Sequence, residues 1–205
     1  MVGAVATGCG IGSRPHVARG RDGAWQGVGR GSDTGRAVEP IIIVEEQPDS
    51  DDVRWCFAQY YAELDQRIEG GFDASVALPL ADAGLLPPLG VVLVARRSGQ
   101  LLGCGAVKLG ERGVAEIKHL WITPAARGQG VGSRILAELE ARAAAAGKGV
   151  VRLDTNGALT EAVALYRRRG YREVTPFNVE RFADHWFEKD QADEGHAIDQ
   201  DGRAT

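Results

Sequence analysis

A glycine-rich loop between a strand and a helix constrains this chain more than any other feature. The residue pattern predicts a strand over 114–122, a loop over 123–130, a helix over 131–146 and another strand over 150–153. Glycines let backbone amides curl closely around an anion. The first N–H groups of a helix lack partners within the helix, and the helix dipole adds partial positive charge there. The loop is therefore expected to bind a phosphate or pyrophosphate group.

Other interpretations of this loop exist. A Rossmann dinucleotide loop would use Gly128 and Gly130, with Asp154 as the acid that ends the next strand. Ser133 stands where that motif has its third glycine, and five residues separate Ile122 from the first glycine, whereas the motif begins at the strand's end. A Walker loop is excluded because the chain has no Gly-Lys-Ser/Thr sequence. A glycine-rich surface turn that binds nothing is the remaining alternative.

Strand and helix patterns alternate around this central unit. The predicted strands are 41–44, 91–95, 101–109, 114–122, 150–153, 171–174 and 185–188. Three helices are predicted, beginning after Ser50, at about Val131 and after Thr160, where Ser50 and Thr160 are candidate N-caps. Strands 91–95 and 101–109 flank a tight turn and form an antiparallel hairpin. This order predicts a mixed sheet covered by helices rather than an all-parallel sheet.

The two ends of the chain differ in composition from its middle. Residues 1–38 are rich in glycine and small side chains and have no hydrophobic period, so we expect them to be disordered. Residues 190–205 form a short acidic tail, which we also expect to be disordered. The folded domain is therefore predicted to span 39–189.

Composition excludes several classes of protein. The net charge of -4 gives no general affinity for nucleic acid. The apolar runs are too short to cross a bilayer and no secretory signal is evident, so we expect a cytoplasmic protein with no membrane partner. The three cysteines are scattered and include no C-x-x-C pair, which argues against a disulfide framework and a metal site.

Two motifs resemble those of the GNAT N-acetyltransferase superfamily. The first is the motif R/Q-x-x-G-x-G/A, which follows a strand in that family. Residues 116–124 resemble the strand, and Arg-Gly-Gln-Gly-Val-Gly at 127–132 resembles the motif. Residues 164–171, Ala-Leu-Tyr-Arg-Arg-Arg-Gly-Tyr, resemble the signature A-x-x-L-Y-x-x-x-G-F/Y, whose alanine would be Ala162. The resemblance covers about 41–189 and implies an α+β, three-layer fold, with a central mixed, largely antiparallel sheet of about six to seven strands flanked by helices.

The C-terminal part of the domain is similar to a narrower group within this superfamily. Pro-Phe-Asn at 176–178 and Asp-His-Trp-Phe at 184–187 resemble small bacterial acetyltransferases, some of them fused to a MarR-type regulator. No helix-turn-helix pattern occurs in residues 1–40, so that partner domain is not expected here.

The resemblance implies an N-acetyltransferase that moves the acetyl group of acetyl-CoA to a primary amine. The transfer would proceed by direct attack in a ternary complex, without a metal. The acceptor would be a small molecule or a peptide. The protein could also form a homodimer. Two other functions are retained as alternatives: a CoA-binding module without turnover and a nucleotide-binding oxidoreductase.

The resemblance also implies which residues hold the cofactor. Amides of the loop would bind the CoA pyrophosphate, and the preceding strand would pair with the pantetheine arm where a bulge splays it from strand 150–153. The family often has asparagine at the position of Leu159, and Asn156 is the nearby substitute. The implied cofactor-binding residues are Leu120, Trp121, Ile122, Arg127, Gly128, Gln129, Gly130, Val131, Gly132, Ser133 and Asn156.

Two catalytic residues follow from the same resemblance. Glu116 matches a general-base glutamate, which would take a proton from the ammonium group of the acceptor. Tyr166 matches the signature tyrosine, which would hydrogen-bond the CoA sulfur or protonate the departing thiolate. The alternatives are a Glu116 paired with Lys118 or Arg152 and a Tyr166 that is only a core aromatic.

The acceptor side is predicted from aromatic and polar residues near both ends of the domain. It would combine Tyr60, Tyr61 and Phe72 with Phe177, Asn178 and His185, because aromatic groups suit an amine cation. His119 and His185 are candidates for proton relay, with a structural role as the alternative for each.

Overall fold

A computed structural model describes residues 39–72 and 83–191. Within these ranges the helices are α1 (Asp51–Arg67), α2 (Val131–Ala145) and α3 (Thr160–Arg168). The strands are β1 (Ile42–Glu46), β2 (Gly90–Arg97), β3 (Gln100–Lys108), β4 (Val114–Ile122), β5 (Val150–Thr155), β6 (Arg172–Glu173) and β7 (His185–Asp190). Short 3-10 turns occupy Ala83–Leu85 and Pro124–Ala126. The predicted order of strands and helices is confirmed.

The seven strands form one sheet in the order β1-β2-β3-β4-β5-β7-β6. Every neighbouring pair is antiparallel except β4 and β5, which run parallel and are connected through α2. The prediction of a mixed, largely antiparallel sheet is therefore confirmed.

Helices cover both faces of this sheet and give the predicted three layers. On one face α1 buries its apolar side, including Val53, Phe57 and Leu64, against β2, β3 and β4. On the other face α2 buries Ile135 and Leu139 in a second cluster. Each fully buried aliphatic side chain contributes about 1.5–3 kcal/mol, so the two clusters stabilise both layers.

The N-cap predicted from the sequence is confirmed at one helix and is wrong at another. Ser50 caps α1 as predicted, because its hydroxyl accepts a 3.2 Å hydrogen bond from the Val53 amide. The prediction that Thr160 caps α3 is wrong: Leu159 occupies the N-cap position and Thr160 is the first helical residue. The Thr160 hydroxyl instead lies 3.4 Å from the neighbouring Glu161 carboxylate.

β4 carries a bulge and then separates from β5. Cys104 and Ala106 of β3 pair with Trp121 and Lys118 of β4, so the single intervening residue of β3 faces two on β4. One of these two is His119, whose φ of 55° is rare outside glycine. β4 and β5 pair only from Val114 to Glu116, and a gap opens in the sheet beyond that point.

The predicted ends of the chain fall largely outside the described residues. The expected disorder of residues 1–38 and most of the expected acidic tail cannot be compared with described structure. Asp190, the first residue of that predicted tail, is the last residue of β7 and pairs with Val150. None of the helices in the described ranges has the length and apolarity that crossing a membrane requires.

Candidate active site

A cavity of about 680 Å³ lies along the glycine-rich loop, and we call it the loop cavity. Its walls come from α1, the end of β4, the start of α2 and α3. Most of the predicted cofactor-binding residues line it: Leu120, Trp121, Ile122, Arg127, Gly128, Gly130, Val131, Gly132 and Ser133. Gln129 and Asn156 do not line this cavity.

The backbone of the loop depends on glycine at two positions. Gly128 has a φ of 74° and Gly130 a φ of 78°, in the left-handed region that costs other residues about 1–2 kcal/mol. Gly130 is also the N-cap of α2, so the unpaired amides of the first helical turn border the loop cavity. This arrangement suits an anion, because backbone donors and the helix dipole coincide.

Gln129 faces away from the loop cavity. Its side chain accepts a 2.8 Å hydrogen bond from Arg97 and donates a 2.9 Å hydrogen bond to the Ala125 carbonyl. The side chain of Gln129 therefore does not contribute to the loop cavity, and the predicted contact of its backbone amide with the cofactor stays a prediction.

A carboxylate in the wall of the loop cavity was missed by the sequence analysis. Glu63 accepts hydrogen bonds from Trp121 Nε1 at 2.8 Å and from Arg127 at 2.5 Å, and its side chain is 18 % exposed. It also pairs with Arg67 at 3.0 Å. The sequence signal was the i,i+4 spacing of Glu63 and Arg67, but nothing in the sequence connects either residue to Trp121 or Arg127.

Arg67 also links α1 to α3 at the edge of the loop cavity. Its guanidinium lies 2.7 Å from the Glu161 carboxylate. The hydrogen bond from Arg67 lowers the pKa of Glu161 to about 2. Glu161 is therefore ionised at neutral pH and keeps this link charged.

A second cavity, of about 430 Å³, lies where β4 and β5 separate, and we call it the gap cavity. One side is formed by residues 117–120 of β4 and the other by residues 154–156 at the end of β5. Both cavities are lined by Tyr60, Leu64, Leu120, Leu159 and Ala162. The two cavities therefore adjoin, and a molecule in one lies beside a molecule in the other.

Tyr166 lines the gap cavity, although it is only 5 % exposed. Its ring packs against Tyr171 and Phe187, with both centroid distances at 5.9 Å. Burial, together with the Asp154 carboxylate, raises the pKa of the Tyr166 hydroxyl well above its ordinary value. The hydroxyl is therefore protonated at neutral pH and can act as a proton donor.

Tyr60 is a second phenol at this position and was predicted only as part of the acceptor side. It lines both cavities, at their junction. Burial raises the pKa of Tyr60 far above its ordinary value, and the nearby Tyr166 adds to the shift. Two protonated hydroxyl groups thus lie close to the place where the cavities meet.

Glu116 is not brought to either cavity. Its carboxylate pairs with Lys118 Nζ at 2.6 Å and with Arg152 at 3.3 Å, which is the alternative role that the sequence left open. The physical reason is its position: Glu116 is the last residue of β4 that still pairs with β5, before the gap opens. Tyr166 and Glu116, the predicted catalytic pair, therefore do not share a cavity.

Asp154 is one of two carboxylates that line the gap cavity, and Glu180 is the other. Lys118 donates a 2.8 Å hydrogen bond to it, and Asn178 donates another at 3.1 Å. Burial opposes the charge on Lys118, but Asp154 and Glu116 together raise its pKa above the ordinary value. The sequence placed Asp154 at the end of a strand but considered it only as the acid of a dinucleotide site.

Asn156 and the two histidines have clear structural partners. Asn156 donates a 2.7 Å hydrogen bond to the Phe182 carbonyl, and it lines the gap cavity rather than the loop cavity. His119 lines the gap cavity, 2.8 Å from the Tyr61 hydroxyl through Nε2. His185 lies 2.6 Å from Glu173 and lines neither cavity.

The predicted acceptor side is reproduced in part. Tyr60, Tyr61 and Phe72 line the gap cavity. Phe177, Asn178 and His185 do not, and the C-terminal contribution comes instead from Glu180, Arg181, Phe182 and Ala183. The ring of Phe177 instead lies against Arg152, whose guanidinium is 4.3 Å from the ring centroid.

Comparison with known proteins identifies the family. Residues 88–173 match the acetyltransferase (GNAT) domain family. An IAA acetyltransferase of Azospirillum brasilense is 36 % identical over 138 residues, which cover 67 % of this chain and 88 % of that protein. The chain belongs to the GNAT acetyltransferase family. The resemblance stated from the two sequence motifs is confirmed.

Two further similar proteins extend this comparison. An uncharacterised N-acetyltransferase of Schizosaccharomyces pombe is 32 % identical over 140 residues, covering 67 % of this chain and 85 % of that protein. A Salmonella typhimurium protein, solved with its cofactor acetyl-CoA, has the same fold. Its TM-score is 0.54 at 18 % identity, and the match covers 79 % of this chain and 99 % of that one.

Proposed function

We propose that this GNAT protein transfers the acetyl group of acetyl-CoA to a primary amine by direct attack in a ternary complex. The observation that carries the proposal is the junction of two cavities at the gap in the sheet. The loop cavity offers the amides of a helix N-terminus, and the gap cavity offers aromatic walls and protonated phenols. The two substrates would occupy one cavity each.

Acetyl-CoA fits the loop cavity by the chemistry of its walls. Its pyrophosphate would accept hydrogen bonds from the amides that follow Gly128 and Gly130. Beyond Glu116, β4 no longer pairs with β5, so backbone groups there face the gap and can pair with the amides of the pantetheine arm. The thioester would then lie at the junction, beside Tyr60 and Tyr166.

Three events must occur at that junction. The acceptor ammonium loses a proton, its nitrogen forms a bond to the thioester carbonyl carbon, and the carbon–sulfur bond breaks. Tyr166, which its raised pKa keeps protonated, would donate its proton to the departing sulfur and would take up the second proton that the nitrogen loses as the amide forms. A positioned acid or base contributes typically about 10²–10⁴-fold to such a step.

The proton acceptor for the ammonium is assigned to Asp154 rather than to Glu116. Asp154 lines the gap cavity, whereas Glu116 lines neither cavity and is held by Lys118 and Arg152. A base must reach the proton directly or through one water molecule, and Asp154 is the carboxylate better placed to do so.

Thermal-shift and thiol-release measurements test the proposed function. Acetyl-CoA should raise the melting temperature while NAD does not, and a panel of amines should include one that releases CoA thiol. Stabilisation by acetyl-CoA with no thiol release from any amine would favour the CoA-binding module. Stabilisation by NAD alone would favour the nucleotide-binding oxidoreductase.

A further inference from the structure

We infer that the acceptor is an aromatic monoamine that also carries a carboxylate. Its amine would lie at the cavity junction, its ring against the aromatic wall of the gap cavity, and its carboxylate near Arg181. The inference rests on the proposed function, because it names the substrate class for the second of the two cavities.

The outer part of the gap cavity is a wall of aromatic rings. Tyr61 and Phe72 stack with centroids 5.7 Å apart at 7°, and Phe72 and Phe182 lie 4.7 Å apart at 53°. These three residues line the gap cavity but not the loop cavity, so the wall lies away from the junction. Offset and tilted rings of this kind accommodate another aromatic ring by the same packing.

The charges in the gap cavity disfavour a polyamine. Three cations, Lys108, Lys118 and Arg181, line it together with two carboxylates, Asp154 and Glu180. Lys118 binds both Asp154, at 2.8 Å, and Glu116, at 2.6 Å. A substrate with several ammonium groups adds further cations to this lining, whereas a substrate with one amine and one carboxylate offers Arg181 a counter-charge.

Arg181 is the cation best placed for that carboxylate. It is exposed, and its guanidinium lies 5.3 Å from the centroid of the Phe182 ring, so it borders the aromatic wall. A guanidinium can bind a carboxylate through two parallel hydrogen bonds. A ring resting on Phe182 therefore brings a carboxylate within reach of Arg181.

The junction accepts the amine end because it carries little charge. Four of its five shared residues are apolar, and the fifth is Tyr60, whose hydroxyl is protonated. An amine that has lost its proton is compatible with this surrounding, while a carboxylate would be desolvated without a partner. The amine, the ring and the carboxylate of the acceptor would thus lie in that order along the gap cavity, starting from the junction.

Matched pairs of amines test the inference through thiol release from acetyl-CoA. 4-(2-Aminoethyl)benzoate is compared with phenethylamine, and 4-(aminomethyl)benzoate with benzylamine, so that each pair differs only in a carboxylate on the side of the ring away from the amine. Spermidine and kanamycin serve as polycations. We expect at least one carboxylated amine to exceed its partner in kcat/KM by about tenfold, the size of one charge-assisted hydrogen bond, and both polycations to be poorer.

Variants separate the carboxylate contact from the ring contact. Arg181→Gln should remove the preference within a pair by raising KM for the carboxylated amine alone, while Arg54→Gln, an exposed arginine of α1 that lines neither cavity, should not. Phe182→Leu should lower kcat/KM for both members of the pair. An unchanged preference in Arg181→Gln would overturn the inference.

The outcomes also separate this inference from the proposed function. Preferred acetylation of spermidine or kanamycin, or equal rates within both pairs, would overturn the inference and leave an N-acetyltransferase. No thiol release from any of these amines would overturn the inference. If a wider panel of amines also gave no thiol release, the proposed function would fail as well.

Discussion

The indole Nε1 of Trp121 donates a 2.8 Å hydrogen bond to Glu63, which joins the end of β4 to α1. The same carboxylate binds Arg127 of the loop and Arg67 one turn further along α1. One side chain therefore holds together a helix, a strand and the glycine-rich loop around the loop cavity. A single substitution of Glu63 would therefore remove the acceptor of all three donors at once.

Glu63→Gln should lower the free energy of unfolding by about 1–3 kcal/mol, because Trp121 then donates to a neutral amide and Arg127 loses its counter-charge, while Arg67 keeps Glu161. Urea denaturation measures this change. Glu138→Gln is the matched control, since Glu138 is exposed on α2 and lines neither cavity. Equal stability of the Glu63 variant and the control would show that the hub is unimportant to the fold.

Tyr166→Phe should lower kcat by about tenfold or more and leave the affinity for CoA nearly unchanged, because only the hydroxyl group that donates the proton is removed. Steady-state kinetics and calorimetry measure the two quantities. Tyr171→Phe is the control, since that neighbouring buried tyrosine lines neither cavity. A Tyr166 variant with the parent's kcat would place the proton donor elsewhere, with Tyr60 as the next candidate.

Asp154→Asn should lower kcat by about 10²-fold at neutral pH, with partial recovery at high pH, where the free amine is abundant. Glu116→Gln is matched to it, because each carboxylate binds Lys118. We expect the Glu116 variant to keep most of its kcat. A pH–rate profile of both variants decides which carboxylate is the base. A large loss of kcat in Glu116→Gln with little loss in Asp154→Asn would restore Glu116 as the base.

The local parts of this account could be predicted from the sequence. The strand, loop and helix around Gly128 and Gly130 are set by hydrophobic period and by glycine, which act over a few residues. The Ser50 cap is similarly local. Thr160 was misassigned because its hydroxyl lies near Glu161 instead of capping the helix, a competition that a sequence pattern does not resolve.

The contacts that shape the two cavities could not be predicted, because they join distant parts of the chain. Glu63 and Trp121 are 58 residues apart, and Lys118 and Asp154 are 36 apart. Glu116 illustrates the consequence: its place in the motif suggested catalysis, but the point where β4 leaves β5 decides that it lines neither cavity. Such a point depends on the pairing of whole strands.

The central claim is that the loop at Gly130 holds the pyrophosphate of acetyl-CoA. A Cβ atom at Gly130 would meet no atom within 4 Å, so Asp and Asn enter the same open space, and both tolerate its φ of 78° better than other non-glycine residues. Gly130→Asn therefore controls for backbone strain. Gly147→Asp adds the same charge at the other end of α2, at a glycine with a φ of 71° and equally open space.

The most direct measurement is the calorimetric Kd for CoA of Gly130→Asp beside these two controls. We predict that the Asp variant binds at least about tenfold more weakly than Gly130→Asn, because a carboxylate beside a pyrophosphate costs more than about 1.4 kcal/mol. Gly147→Asp should bind like the parent. A folded Gly130→Asp protein that binds CoA as tightly as Gly130→Asn would contradict the assignment of the loop.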